Sequence, residues 1–304
     1  AAADTAVNLT NVKINNFCRS ALDIRSGSFT VDGCEIDCKN VTPNSLTKGI
    51  LAGLATNKVT GTVKNTTITN SASTAEGWTS GAVEVKFNAD VTVENCEINQ
   101  CATAFLVTAK WRGEQSTDPT DTKEAKLTVK GGEYSAESRV LRADARDANK
   151  ATYNTTDTAV INVLGGTFTA TGKDGLVFRK NGTPELTSIS VSGGTFPGFD
   201  VLNYADENAD ITVDLKDDVT LDKSVVVENG KLTINGNRKT ITGVANDNQV
   251  GFVVNGGKLA MSNLTLTDFG KNAATATGVA VVKVPYNAAA DTAVNLTNVK
   301  INNF

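Results

Sequence analysis

The sequence predicts an all-β fold, a parallel β-solenoid of about ten rungs, uncapped and continuing end to end. Three observations carry this expectation. The segment AAADTAVNLTNVKINNF opens the chain at Ala1–Phe17 and closes it at Ala288–Phe304, a period of 287 residues. A short strand phrase recurs in step with that period. Thr, Val, Asn, Gly and Asp abound, a composition suited to strands and turns.

Each rung opens on the phrase. It reads NLTNVKI (8–14), TVDGCEI (30–36), TVKNTTI (62–68), TVENCEI (92–98), TVKGGEY (128–134), NVLGGTF (162–168) and SVSGGTF (190–196). TVDLKDD (212–218) and TINGNRK (233–239) fit loosely, and AMSNLTL (260–266) leads back to NLTNVKI at 295–301. The second residue of each phrase is an anchor: Leu9, Val31, Val63, Val93, Val129, Val163, Val191, Val213, Ile234, Met261 and Leu296. Ten steps of about 29 residues fill the long period, a spacing typical of solenoids. A second strand follows each phrase: ALDIR (21–25), GILAGL (49–54), AVEVK (82–86), AFLVT (104–108), RVLRA (139–143), LVFR (176–179), DVLN (200–203), VVVE (225–228), FVVN (252–255) and VAVVK (279–283). Two strands per rung, with insertions confined to the turns, make a ribbon that stacks on itself in parallel. Residues 1–304 are thus expected to form a single solenoid, one period over 1–287 plus a 17-residue overlap over 288–304.

VTVENCEINQC (91–101), LTVKGGEYS (127–135) and INVLGGTFT (161–169) resemble the right-handed parallel β-helix of the pectate-lyase-like superfamily. The resemblance spans essentially the whole chain and implies the fold. Members include polysaccharide lyases and hydrolases, phage tailspikes and bacterial surface adhesins, so it leaves activity open. The polygalacturonase-like signature needs histidine, and this chain has none. Lyases of the superfamily use Arg or Lys as base, so they are not excluded on that ground.

Aligned rungs predict ladders. Ile14, Ile36, Ile68, Ile98, Tyr134, Phe168 and Phe196 form an inward stack, aliphatic and then aromatic. Gly131-Gly132, Gly165-Gly166 and Gly193-Gly194 precede the rings, supplying φ > 0 and clearing space. Thr30, Thr62, Thr92 and Thr128 line the outer face. Asp32, Lys64, Glu94 and Lys130 alternate in sign along the axis, so a one-rung slip opposes like charges. The plain alternative is a solvated face with chance alternation.

Cys34 and Cys96 share one rung position and read as small core fillers. Cys18 and Cys38 fall near one corner of adjacent rungs, a spacing that permits a disulfide; a reduced, buried pair is the other reading. Cys101 has no evident partner, and no CxxC or zinc spacing appears.

The absence of histidine removes Ser-His-Asp and Cys-His catalysis and His-based metal sites. A net charge of −4 offers no basic footprint for nucleic acid, and no apolar run reaches membrane-spanning length. Arg139, Arg142, Asp144, Arg146 and Asp147 suit an acidic sugar. Asp206, Glu207 and Asp210, with Asp214, Asp217, Asp218 and Asp222 nearby, suit Ca²⁺. Both clusters lie in or near turns, where charges are ordinarily just solvated. No catalytic residue, cofactor or metal is therefore assigned, and the chain is expected not to be an enzyme.

The expected function is structural: an extracellular or cell-surface filament or stalk whose partner is itself. Val7, Leu9, Val12 and Ile14 in the first copy, and Leu296, Val299 and Ile301 in the last, are the expected assembly interface. Covalent tandem repetition and end-to-end stacking both give a fibre. Identity of the copies favours the first. A polysaccharide-binding adhesin using the turns around 109–125 and 144–158, and a polysaccharide lyase or hydrolase, are the other readings.

Overall fold

The computed structural model describes residues 5–38, 47–53, 57–69, 81–109, 123–145, 157–173, 175–182, 186–221, 223–243, 250–270 and 280–303. The chain divides into two compact units, Ala1–Ser190 and Val191–Phe304. Both are built of parallel strands, with no α-helix among the described residues. The expected all-β, parallel architecture is therefore present.

In the first unit, Ala6–Thr10, Gly27–Asp32, Val59–Lys64, Ala89–Asn99, Glu124–Ala136 and Thr158–Ala170 pair in that order. Ser20–Ile24, Lys48–Ala52, Val83–Lys86, Thr103–Thr108, Arg139–Ala145 and Leu176–Gly182 form a second parallel sheet. The chain alternates between the sheets, each circuit giving one strand to each, which is the pattern of a β-solenoid. The anchors align as expected: Leu9 faces Val31, then Val63, Val93, Val129 and Val163 follow. The valines from Val31 to Val163 are wholly buried, and β-branched residues suit these pleated positions.

The inward stack is in register from Ile14 through Ile36, Ile68, Ile98 and Tyr134 to Phe168. Ile36, Ile68, Ile98 and Phe168 are wholly buried. Each such side chain contributes about 1.5–3 kcal/mol through removal from water. The rings of Phe105 and Tyr134 lie 4.9 Å apart, and those of Tyr134 and Phe168 5.2 Å apart. Gly132 adopts φ 102°, and a Cβ there would collide with the Cys96 carbonyl oxygen and with Tyr134 Oη. Glycine thus both bends the chain and leaves room for the ring.

Between the two halves of the first five phrases the chain turns a corner at a left-handed residue. Asn11, Gly33, Asn65, Asn95 and Gly131 hold it in the first unit, at φ 50–73°. Asparagine tolerates this region because its short amide bonds locally. The corner N–H groups still donate along the stack: Asn11 to the Asp32 carbonyl at 2.9 Å, and Asn65 to that of Glu94 at 3.1 Å. Exposed Asn95, at φ 50°, tests this arrangement. Asn95→Val should cost about 1–2 kcal/mol in urea unfolding, whereas Asn95→Gly should cost little. Equal midpoints for the two variants would show that the corner imposes no backbone demand.

In the second unit, Ala205–Asp214, Lys231–Asn235, Lys258–Thr267 and Ala293–Asn302 pair in order, and Val213, Ile234, Met261 and Leu296 align. The expected step from Val191 to Val213 is corrected: Val191 faces Ala205, and Val213 faces Phe196. A bulge is responsible, since Val191–Gly193 on one strand faces Ala205–Asp210 on the other. The inward column there runs Val219, Ile241, Leu266 and Ile301. The loose phrases fit poorly because their corners are longer, as at Asn237 and Arg238 with φ 51° and 65°. The expected strand at 200–203 is instead part of a 3-10 helix, Phe199–Asn203. Pro197 and Gly198 (φ 122°) break the extended run, and Tyr204 N–H bonds the Val201 carbonyl at 2.9 Å.

Candidate functional site

The repeated segment folds alike in both places. The first copy forms Ala6–Thr10 and Lys13–Asn15 around Asn11 (φ 54°), with Asn16 at 59°. The second forms Ala293–Asn302, with Asn298 at 52° and Asn303 at 47°. The neighbours differ. The first copy pairs with the rung that follows it: Val7 faces Phe29, Leu9 faces Val31 and Ile14 faces Ile36. The second pairs with the rung that precedes it: Leu296 faces Met261, Val299 faces Leu264 and Ile301 faces Leu266. One sequence thus accepts a parallel partner along either edge. Among the described residues, each copy is paired along one edge only. Val7, Leu9, Val12, Ile14 and Val299 are half-buried, while Leu296 and Ile301 are 42% and 40% exposed. An unpaired strand edge with apolar side chains is a template for another strand.

Two surface ion pairs join neighbouring rungs in the first unit. Lys13 Nζ lies 2.6 Å from Glu35 Oε2, and Lys64 Nζ lies 3.1 Å from Asp32 Oδ2, both between residues in register. Hydrogen bonds from Asn65 and then Lys64 hold the Asp32 carboxyl below the usual carboxylate range. Glu35 raises the Lys13 ammonium above its ordinary value, chiefly through the side-chain hydrogen bond.

The other charged candidates mostly engage their own neighbours. Arg142 Nη2 lies 3.0 Å from Asp144 Oδ2, both largely buried, and Arg139 Nη1 donates to Ser138 O. Arg146 and Asp147 lie outside the described residues, as do Asp222 and the side chains of Asp206 and Glu207. Asp214 Oδ1 accepts from Asn235 Nδ2 at 2.6 Å, and Asp218 Oδ1 accepts the Thr240 N–H at 2.8 Å. Among the described residues no cluster of acidic or thiol groups is arranged to hold a metal. The sequence reading missed a buried ionic group. Glu84 places its carboxylate 3.0 Å from Lys48 Nζ and 2.7 Å from Lys86 Nζ.

The five cysteines are thiols, and Cys18 and Cys38 share no bridge. Cys38 Sγ lies 2.8 Å from the Phe17 carbonyl oxygen. Cys34 and Cys96 fill the core as expected. Cys34 Sγ accepts the Val12 N–H at 3.5 Å, and the Cys34 N–H reaches Thr66 Oγ1 at 3.2 Å. Burial pushes the Cys96 thiol up to about 11 and Cys101 to about 12, so neither is a nucleophile at neutral pH.

A groove of about 340 Å³ crosses three corners, lined by Asn65, Thr67, Asn95, Glu97, Gly132 and Glu133 among others. Glu97 and Glu133 are in register on neighbouring rungs. Amides, hydroxyls and carboxylates in a row suit the hydroxyls of a glycan. No helix among the described residues is long and apolar enough to cross a membrane. No protein-family model, curated protein or solved structure matches this chain.

Proposed function

We propose that this chain is a structural filament protein, one period of a continuous right-handed β-solenoid rod at a cell surface or outside the cell. Its partner is another copy of itself, joined covalently in tandem or end to end. The observation that carries the reading is the two-sided pairing of the repeated segment. If one segment held both places, Lys258–Thr267 would lie along one edge and Gly27–Asp37 along the other, as an unbroken stack requires. The mechanism is mechanical: hydrogen bonds run along the axis, and each rung is stabilised by its neighbours. No catalytic role is assigned.

Electron microscopy tests the proposal. About ten rungs at roughly 4.8 Å give an axial repeat of ~48 Å. Fibres with that spacing are the expected result. A repeat near half or twice that value contradicts it, as do compact single particles formed both by the single chain at all concentrations and by a chain of two tandem periods. The groove across Asn65, Asn95 and Glu133 favours a second reading, a polysaccharide-binding adhesin. Glycan-array binding by single, unassembled chains would select it.

A further inference from the structure

We propose that the groove across the corners of the first unit binds a glycan bearing protonated amines, a polymer of the glucosamine kind, with an ammonium group seated between Glu97 and Glu133. This rests on the adhesin reading of that groove, whose ligand class it names, and is independent of the filament reading. The groove, of about 340 Å³, crosses three successive rungs, and its lining carries two carboxylates and no lysine or arginine. Its size lies at the lower end of the range for ligand sites.

Glu97 and Glu133 face each other in register, on strands roughly 4.8 Å apart. Their other register partners, Thr67 and Thr167, are uncharged. Among the described pairs of this sheet in the first unit, facing charges are otherwise opposite in sign. Lys13 faces Glu35, Asp32 faces Lys64, Asp90 faces Lys126, and Glu94 faces both Lys64 and Lys130. Like charges set opposite each other destabilise a sheet. A cation between them turns repulsion into attraction, and a primary ammonium brings three donors. The surrounding polar groups are open to a ligand. Glu97, Glu133, Asn65 and Asn95 are exposed. Among the described residues, the Glu133 carboxylate and the Asn95 amide engage no other group. Asn99 Nδ2 holds Glu97 Oε1 at 2.6 Å, and Asn65 donates to Asp32 at 2.9 Å, which leaves Asn65 Oδ1 as an acceptor. Glycine keeps the third corner bare, since a Cβ on Gly131 would sit 2.7 Å from Asn95 Oδ1. A simple amine would use the carboxylates alone, and a neutral glycan the amides and the Thr67 hydroxyl alone. An amino sugar uses both.

Titration calorimetry of the full chain with a β-linked glucosamine hexamer, its amines protonated, tests this. The hexamer should bind, and its N-acetylated counterpart should bind about tenfold more weakly, because hydrogen bonds to a charged group are lost. High salt should narrow that gap. Glu133→Gln should weaken binding of the glucosamine hexamer about tenfold. Glu133→Lys places opposite charges face to face, so it should abolish binding without lowering the unfolding temperature. Equal affinity for the two hexamers, or parental affinity in E133Q, overturns the proposal and leaves the adhesin reading standing. A lysine hexapeptide that binds as tightly as the glucosamine hexamer overturns it as well, since charge alone would then be recognised. A lower unfolding temperature for E133K would show that the facing carboxylates do not repel, and removes the argument. Absence of binding to any glycan overturns both the proposal and the adhesin reading.

Discussion

Phe168→Ala should destabilise the first unit by about 3–5 kcal/mol, the cost of a large core truncation that cannot fully collapse. Phe168 is wholly buried, stacks 5.2 Å from Tyr134, and continues the inward column from Ile98. The column is stiffened by the strands above and below, and Tyr134 is pinned by its hydroxyl, which donates to the Gly131 carbonyl. In a fold stabilised by neighbours, the loss should be felt first in Glu124–Ala136 and Thr158–Ala170. Hydrogen exchange should therefore show protection falling there before it falls at Gly27–Asp32. Leu164→Ala supplies the control. Leu164 lies in the same strand but is 50% exposed, and its loss should change stability by no more than about 0.5 kcal/mol. Similar effects for the two variants would mean that the ring is not the packed centre of its rung.

The contrast between Phe168 and Leu164 shows why the first unit was legible. Alternation within each half-phrase, reset by the corner between the halves, turns both anchor and ring inward, and the constant five-residue step allowed Val129, Tyr134 and Phe168 to be aligned from their spacing. The corner was equally written in the chain, though it was read only at the glycine pairs. Two residues after Leu9, Val31, Val63, Val93, Val129, Met261 and Leu296 stand only Asn or Gly, the residues that tolerate the left-handed region. The second unit resisted because its corners change length. A fixed spacing from Val213 or Ile234 lands on Asp218 or Lys239, whereas the inward residues are Val219 and Ile241. Periodicity cannot reveal an insertion inside a turn, nor a bulge such as that facing Val191–Gly193. The likeness of the two ends was legible as an identity of letters; that Lys13 faces Glu35 while Lys300 faces Thr265 became visible only in the strand register.

Glu84→Ala should cost about 3–5 kcal/mol, because it strands two ammonium groups away from water. The Glu84 and Lys48 side chains are only 3% and 8% exposed, and Lys86 is 14% exposed. None of this follows from strand register, since Glu84 faces Leu51 and Leu106 rather than either lysine. The contact to Lys48 depends on side-chain reach between neighbouring strands. The stabilising value of the group lies mainly in not leaving a charge alone, since desolvation offsets much of the Coulomb attraction. A second variant separates these effects. K48M/E84L/K86M removes all three charges while keeping similar volume, and should recover most of the stability lost by E84A in thermal unfolding. Recovery would mean that the ionic group selects one strand arrangement rather than holding the unit together. A near-neutral E84A would show instead that water reaches the lysines. A triple variant as unstable as E84A would show that the ion pairs contribute net stability themselves.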